Sequence, residues 1–364
     1  MKARGMEVHA VSSPGVLLHA AAVREQIPVH AVDLHRRITP WSDLEALARL
    51  YGLFRGLQPA IVHAHTPKGG LLGVLAARLA RVPVVLYGMR GLPFVTHTGL
   101  KRRILCWTET AACRLAHRVI AVSQGVRRTA VNLGFCPEDK IRVLAQGSGN
   151  GVDARERFNP QTLPAGLRNQ TRELCQIPPD ALVMGYMGRI VRDKGIIELE
   201  AAWQTLRTVF PGLHLLLVGP IEPQDPIPAP VLRRLQEDPR VRLTGGVRDS
   251  ARYYTAMDLL VLPTYREGFP NTPLEAAAME LPVVATTVDG CVEAVVDGIT
   301  GLLVPPRESA ALAAAVQNLL DDAEMRTRMG RAARQRVLRD FRPEVIWQAL
   351  YDNYLELLKA RGCL

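Results

Sequence analysis

Short apolar segments alternate with helical segments along almost the whole chain, and this alternation constrains the fold more than any other feature. The apolar segments predict strands at 7–12, 60–65, 82–87, 118–122, 181–187, 215–218, 240–244, 259–263 and 281–285. Strands that recur with helices between them are typical of parallel, doubly wound sheets. We therefore expect an α/β protein.

The chain has 364 residues, which is enough for two domains with separate cores. A turn-rich segment at 147–153 closes the first half, and the polar segment at 159–166 is the expected linker. Helical patterns follow after residue 309, and residues 343–360 are amphipathic. We predict one domain over residues 1–160, a second over 161–342, and a C-terminal helical segment over 343–364.

A basic pair follows the strand that starts the second half. The segment ALVMGYMGRIVRDKGIIE, residues 181–198, places Arg189 and Lys194 after the apolar run. Ligands of open α/β sheets bind at the carboxyl edge of the strands, and an Arg fork with a Lys suits a diphosphate. An isolated pair of this kind is more often a solvated basic loop. A second acidic site downstream favours the ligand interpretation.

That second site is the segment YREGFPNTPLEAAA at 265–278. Its two prolines exclude one continuous helix, so we expect Glu267 in a loop and Glu275 in the first turn of a helix opened by Thr272. Free amides at a helix start favour an anion, and the two carboxylates suit the hydroxyls of a sugar or ribose. The alternative is a capping box in which Glu275 reaches back to its own cap.

Four motifs together resemble the family-4 retaining glycosyltransferases of the GT-B fold. They are GRIVRDKG, GSGNGVD at 147–153, LLLVGP at 215–220 and EGFPNTPLE. The resemblance runs in order over about residues 5 to 360. It implies two Rossmann-like domains facing across a cleft, with a C-terminal helix that returns to the first domain.

The resemblance also implies roles for single residues. Arg189 and Lys194 bind the donor diphosphate, Glu267 contacts the donor sugar, and Glu275 contacts the ribose. The family binds its donor without metal, so no cofactor is expected and the nucleotide sugar is a substrate. Further donor-binding positions are expected at Gly188, Arg248, Phe269, Asn271 and Thr272.

The beginning of the chain departs from the family pattern. Relatives usually start with one more strand and a Gly-Gly loop, whereas this chain begins near the end of the helix that follows them. We expect a first domain that is truncated at its N-terminus. A misassigned start is the favoured explanation, and an incomplete sheet that the protein tolerates is the other.

Three residues of the first half are expected on the acceptor side. Arg90 stands where many relatives have a His, and it can bind a sugar oxygen or a phosphate but cannot act as a base. His65 ends a strand, and Lys68 precedes two glycines near the next helix. The alternatives are a salt-bridged loop residue for Arg90 and a plain turn around Lys68.

Positive charge is concentrated in the first 160 residues, which hold 22 Lys and Arg against 10 Asp and Glu. An anionic membrane that carries a lipid diphosphate would suit this excess. The basic and apolar residues around Lys101–Trp107 suit an interfacial helix. Nucleic acid is disfavoured because aromatic residues make up 5% and no nucleic-acid module is evident. A third explanation of the positive charge is that the arginine content reflects the base composition of the genome.

No apolar run reaches the roughly 18 residues of a membrane span, and no signal peptide precedes the first strand. We expect a cytoplasmic protein, peripheral at the inner face of the membrane. The six cysteines are scattered without a CxxC pair, which argues against a zinc site or a disulfide framework.

These patterns predict a retaining glycosyltransferase that moves a sugar from a nucleotide diphosphate, with UDP favoured, to a polyprenyl-diphosphate-linked glycan. The segments HTPKGG, GLPF and SGNGVD resemble those of capsule and exopolysaccharide members of the family. Two alternatives stay open: a non-hydrolysing UDP-sugar epimerase and a truncated, inactive binding scaffold.

Overall fold

The computed structural model describes residues 1–35, 39–222 and 225–364. The described residues form two compact units, one of Met1–Ala145 with Trp347–Leu364 and one of Gln146–Ile346. The division falls earlier in the chain than the expected boundary at 160. The expected linker at 159–166 lies within the second unit. Its first residue, Asn159, is buried and accepts a 2.7 Å hydrogen bond from Arg334, whereas most of the following residues are exposed.

The first unit contains parallel strands and intervening helices. Its strands are β1 (Ala10–Ser12), β2 (Val29–Ala31), β3 (Ile61–His65), β4 (Val84–Met89), β5 (Arg118–Ala121) and β6 (Ile141–Val143). Its helices are α1 (Val16–Glu25), α2 (Pro40–Leu57), α3 (Pro67–Leu79), α4 (Gly99–Leu115) and α5 (Gln124–Asn132). β1 pairs with β2 in one sheet, and a second sheet has the order β3-β4-β5-β6.

The second unit repeats the same alternation. Its strands are β7 (Val183–Met187), β8 (His214–Val218), β9 (Val241–Leu243), β10 (Leu259–Leu262), β11 (Val283–Thr286) and β12 (Gly301–Val304). Its helices are α6 (Leu167–Leu174), α7 (Ile196–Val209), α8 (Ala229–Glu237), α9 (Ala251–Ala256), α10 (Asn271–Ala278), α11 (Cys291–Ala294), α12 (Ser309–Asp321) and α13 (Ala323–Asp340).

The sheet of the second unit has the order β12-β11-β10-β7-β8-β9, with parallel pairing throughout these neighbours. Strands β7, β8 and β10 are buried along their whole length, as expected for strands covered on both faces. The order of winding reverses between β7 and β10. The loops that leave their carboxyl ends therefore start side by side, where open α/β sheets bind ligands. The predicted α/β class is confirmed.

The last helix, α14 (Pro343–Ala360), has the predicted bounds. Its apolar side contributes Leu357 to a core cluster with Leu86 of β4. Its polar side contributes Glu356, which accepts a 3.1 Å bond from Arg118 of β5. Most of α14 therefore belongs to the first unit.

In the described part of the chain, no helix combines the length and the apolar character needed to cross a bilayer.

Candidate active site

The loops that follow β7 and β10 contact each other through their backbones. Gly195 has a φ of 71°, and a Cβ at this position would overlap the carbonyl oxygen of Pro263. Only glycine accepts both the backbone angle and the close approach. The amide of Tyr265 donates a 2.9 Å hydrogen bond to the carbonyl of Asp193. This contact sets Lys194 beside Glu267.

Lys194 and Glu267 form an ion pair through Nζ and Oε1. The two side chains are 19% and 14% exposed, so they are partly shielded from water. Charge pairs interact more strongly in such surroundings than in bulk solvent. The structure brings together two residues that lie 73 positions apart in the chain, as the predicted donor site requires.

Two uncharged side chains, Cys291 and Tyr186, lie near this ion pair. Burial raises the pKa of the Cys291 thiol, and the charge of Glu267 adds to the effect. Burial likewise raises the pKa of Tyr186, whose hydroxyl donates a 2.7 Å bond to the carbonyl of Arg189. Both groups keep their protons at neutral pH. These two side chains therefore add no charge next to Lys194 and Glu267.

Arg189, which the resemblance assigns to the donor diphosphate, has a carboxylate partner in the structure. It forms a 2.7 Å ion pair with Glu222, which follows β8, and its side chain is 44% exposed. Burial lowers the pKa of Arg189, but the bond to Glu222 outweighs this effect and the net shift is upward. Within the described residues, Arg189 is paired with neither Glu267 nor Glu275.

Helix α10 starts at Asn271, two residues earlier than predicted, because Pro270 and not Thr272 takes the cap position, with an extended backbone. Glu275 is therefore in the second turn, and the expectation of a first-turn carboxylate was wrong. No described side chain caps this helix start, so the capping-box alternative is also wrong. Uncapped amides leave donors for an anion.

Glu275 accepts a hydrogen bond from a residue of the preceding helix, α9. The hydroxyl of Tyr254 donates a 2.8 Å hydrogen bond to Oε2 of Glu275. Burial raises the pKa of Glu275, whereas this bond and the charge of Arg157 act in the opposite direction and leave a net upward shift. Sequence reasoning missed Tyr254 and Arg157, because no local pattern links them to Glu275.

The other expected donor-binding residues lie around these loops. Asn271 and Thr272 are the first two residues of α10, and the ring of Phe269 packs 5.5 Å from that of Phe341. Gly188 follows β7 directly, next to the loop after β8. Arg248 is exposed in the loop between β9 and α9. Their expected roles stay predictions.

In the first unit, His65 and Arg90 are neighbours at the carboxyl ends of β3 and β4. Nε of Arg90 donates to Nδ1 of His65 at 3.4 Å. Burial and then Arg90 lower the pKa of His65 to about 4, so the ring is neutral at pH 7. His63 lies on the same face of β3, with ring centroids 4.2 Å from His65, and its Nδ1 is 2.7 Å from the hydroxyl of Tyr354.

Lys68 lies in the first turn of α3, which starts at Pro67, so the expected plain turn at this position was wrong. Its Nζ is 2.7 Å from Oδ1 of Asp43 on α2. Gly70 is needed for packing, because a Cβ there would overlap the ring of Tyr87. The start of α3 thus already holds a carboxylate next to Lys68.

Among the residues that the structure describes, no group of three or more His, Cys, Asp or Glu is arranged to hold a metal ion. All six cysteines are free thiols.

Two family models match the chain. The model described as "Glycosyl transferase 4-like domain" matches residues 1–147, and the model described as "Glycosyl transferases group 1" matches residues 181–322. The second match contains both loops of the donor site.

Similar sequences include two bacterial transferases. The capsular polysaccharide biosynthesis glycosyltransferase CapM of Staphylococcus aureus is 34% identical over 359 residues, covering 99% of this chain and 92% of CapM. The UDP-Gal:alpha-D-GlcNAc-diphosphoundecaprenol alpha-1,3-galactosyltransferase of Escherichia coli is 25% identical over 328 residues, covering 89% and 82%.

Solved structures share the fold. A glycosyltransferase from Rickettsia africae has a TM-score of 0.80 at 22% identity, covering 98% of this chain and 92% of that one. Anabaena HepE, in complex with UDP and glucose, has a TM-score of 0.79 at 20% identity, covering 96% and 99%.

Proposed function

This chain belongs to the glycosyl transferases of group 1, and on that premise we propose that it is a retaining enzyme of surface polysaccharide synthesis. It moves a sugar from a UDP-linked donor to a polyprenyl-diphosphate-linked glycan. The similarity to CapM supports the pathway, and the similarity to the Escherichia coli galactosyltransferase supports the donor nucleotide and the lipid acceptor.

The observation that carries this proposal is the contact of Lys194 with Glu267 at the β7–β10 edge, followed by the uncapped start of α10. The cation and the amides suit the diphosphate of a donor, and the carboxylate suits the hydroxyls of its sugar. In the structure the carboxylate of Glu267 forms an ion pair with the ammonium group of Lys194. A donor would take over the ammonium group and leave the carboxylate for the sugar.

The proposed reaction proceeds on one face of the sugar. The bond between the anomeric carbon and the β-phosphate oxygen breaks, and the acceptor oxygen bonds to the same carbon. The acceptor proton passes to the departing diphosphate, so no side-chain base is required. Lys194 and the α10 amides stabilise the charge that develops on the diphosphate, and such preorganised donors supply much of the rate enhancement in enzymes.

On the acceptor side we assign Arg90 to a phosphate oxygen of the lipid diphosphate. Its Nε is engaged by the neutral ring of His65, which leaves both Nη groups for a ligand. A guanidinium presents paired donors to a phosphate. Lys68 is paired with Asp43 in the same unit, so an acceptor phosphate would compete with that carboxylate for its ammonium group.

The proposed attachment to the cytoplasmic face of the membrane uses α4. Leu100 and Trp107 are 71% and 67% exposed on this helix, and Val95 is 54% exposed in the segment before it. The exposed basic side chains of Lys101–Arg103 lie between the two apolar residues of the helix. A helix with both features lies at the interface of an anionic bilayer.

The test is calorimetric titration of the protein with UDP, followed by assay of sugar transfer to a polyprenyl-diphosphate-linked saccharide. We expect micromolar binding of UDP that is lost in Lys194→Ala and Glu275→Ala, and a product that keeps the anomeric configuration of the donor. A free epimerised nucleotide sugar formed without acceptor would assign the protein to the epimerases instead. A folded protein that does not bind UDP would overturn the proposal.

A further inference from the structure

We propose that Asp193 and Arg266 are positioning residues that hold Lys194 and Glu267 in the register required for transfer. This inference rests on the function proposed above. It assigns a role to two residues that the sequence patterns did not select.

The two residues form a second ion pair between the same two loops. Nη2 of Arg266 is 2.6 Å from Oδ2 of Asp193, and the side chains are 32% and 15% exposed. Asp193 directly precedes Lys194, and Arg266 directly precedes Glu267. One loop therefore presents an anion followed by a cation, and the other presents a cation followed by an anion.

This arrangement of charges selects one register of the two loops. A slip by one residue would bring Asp193 towards Glu267 or Lys194 towards Arg266, and like charges in contact are unfavourable. The backbone supports the same register. The carbonyl of Asp193 accepts 2.9 Å and 3.2 Å bonds from the amide of Tyr265 and the hydroxyl of Thr264.

The pair is poorly arranged for stability alone. Oδ1 of Asp193 and Nε of Arg266 are buried without a hydrogen-bond partner among the described residues. An unsatisfied buried polar atom is destabilising, and a partly satisfied ion pair is weak evidence for stabilisation. A pair that specifies geometry at the adjacent catalytic residues accounts for such an arrangement.

Loss of one partner would redirect the other. In Asp193→Asn, Arg266 is released and competes with Lys194 for Glu267. In Arg266→Gln, Asp193 is released and competes with Glu267 for Lys194. In the double variant both competitors are gone, so the contact between Lys194 and Glu267 is retained.

The experiment compares Asp193→Asn, Arg266→Gln and the double variant with the wild-type chain. We expect kcat to fall about tenfold to a hundredfold in each single variant, because misplaced catalytic groups cost that much. The double variant recovers kcat to within about tenfold of the wild type, as expected for coupled residues. The Kd of UDP rises in the single variants, because Lys194 also contacts the diphosphate, and it returns towards the wild-type value in the double variant.

Arg234→Gln serves as the matched control, since it removes a 2.7 Å ion pair with Glu200 between α7 and α8 of the same unit. It should leave kcat unchanged. Thermal unfolding of every variant separates folding defects from changes in transfer.

The inference is overturned if the single variants keep kcat within twofold of the wild type. It is also overturned if the fold decrease of kcat in the double variant equals the product of the fold decreases in the two single variants. A wild-type chain that binds no UDP or transfers no sugar overturns the proposed function itself. The two failures are thus distinguishable.

Discussion

The hydroxyl of Tyr254 donates a 2.8 Å hydrogen bond to Oε2 of Glu275 and so connects α9 with the second turn of α10. Tyr254 is fully buried, and its pKa is raised by burial and by the charge of Glu275. The hydroxyl therefore keeps its proton and acts as a permanent donor to the carboxylate. This bond orients the residue that we assign to the ribose.

Removing the Tyr254 hydroxyl should weaken nucleotide binding in a pH-dependent way. In Tyr254→Phe, Glu275 loses a donor that lowers its pKa, so more of the carboxyl is protonated at mildly acidic pH. We expect the Kd of UDP to rise about threefold to tenfold at pH 6 and less at pH 8. Calorimetry at the two pH values measures this. Tyr253→Phe is the control, and equal Kd values in the variant and the wild type would contradict the prediction.

Glu275→Gln should stabilise the protein at neutral pH. The folded-state pKa of Glu275 lies above its ordinary value of 4.5, so the native state binds this proton more tightly than the unfolded chain does. The stability that comes from this proton is complete below pH 4.5 and is lost as the pH rises through the folded-state pKa. We expect the free energy of unfolding to increase by about 1 kcal/mol at pH 7.5, with no change at pH 4. Denaturant unfolding at both pH values measures this, and an equal effect at the two pH values would contradict the assignment.

Lys194→Ala should act on the chemical step as well as on UDP binding. We expect kcat to fall by about a hundredfold to a thousandfold, because the ammonium group stabilises charge that develops on the leaving diphosphate. Steady-state assay of sugar transfer gives the value. Lys359→Ala, at an exposed position near the end of α14, is the control for loss of a lysine. A Lys194→Ala enzyme that keeps more than a tenth of wild-type kcat would exclude this role.

His65 should make the protein less stable in acid. Its folded-state pKa is about 4, below the ordinary value of 6.5, so the unfolded chain binds the proton more tightly between these values. The contribution of His65 to stability is complete above pH 6.5 and is lost as the pH falls towards 4. His65→Gln should therefore flatten the decline of unfolding free energy between pH 6.5 and 4.5. His19→Gln, at an exposed position of α1, should follow the wild type.

The exposed face of α4 should bind anionic bilayers. Each basic residue near such a surface contributes about 1 kcal/mol, so Lys101→Ala/Arg103→Ala should weaken binding by about 2 kcal/mol. Sedimentation with phosphatidylglycerol vesicles measures the affinity, and phosphatidylcholine vesicles provide the neutral reference. Arg328→Ala/Arg331→Ala removes two exposed charges from α13 and should have no effect. Equal binding by both double variants would exclude α4 as the membrane contact.

Local patterns were sufficient for the fold class and for the position of most elements. The run from Val183 to Met187 is apolar on both faces, and that is the signature of a strand covered on both sides, which the structure confirms. Pro343 and the amphipathic pattern after it were enough to place α14. The predicted start of α10 was wrong by two residues, because Pro270 sets the start of the helix through its own backbone angle and not through a side-chain cap.

Side-chain partners could not be read from the sequence. Arg189 was expected beside the donor carboxylates, and it is paired instead with Glu222 from the loop after β8. The linker was expected at 159–166 from its polar composition, whereas the division between the two units falls between Ala145 and Gln146. The partner of Arg189 depends on which loops the sheet order brings together, and composition does not specify that order.

By itself, the sequence determined the α/β architecture, the family and the two segments that carry the proposed donor site, since hydrophobic periodicity and motif spacing are local properties of the chain. Tertiary structure alone decided that Lys194 meets Glu267, that Asp193 meets Arg266 and that Tyr254 holds Glu275. The first two contacts arise where β7 and β10 become neighbours, and the third joins the helices on either side of β10. Strand order and helix packing are settled by the whole sheet and not by local sequence.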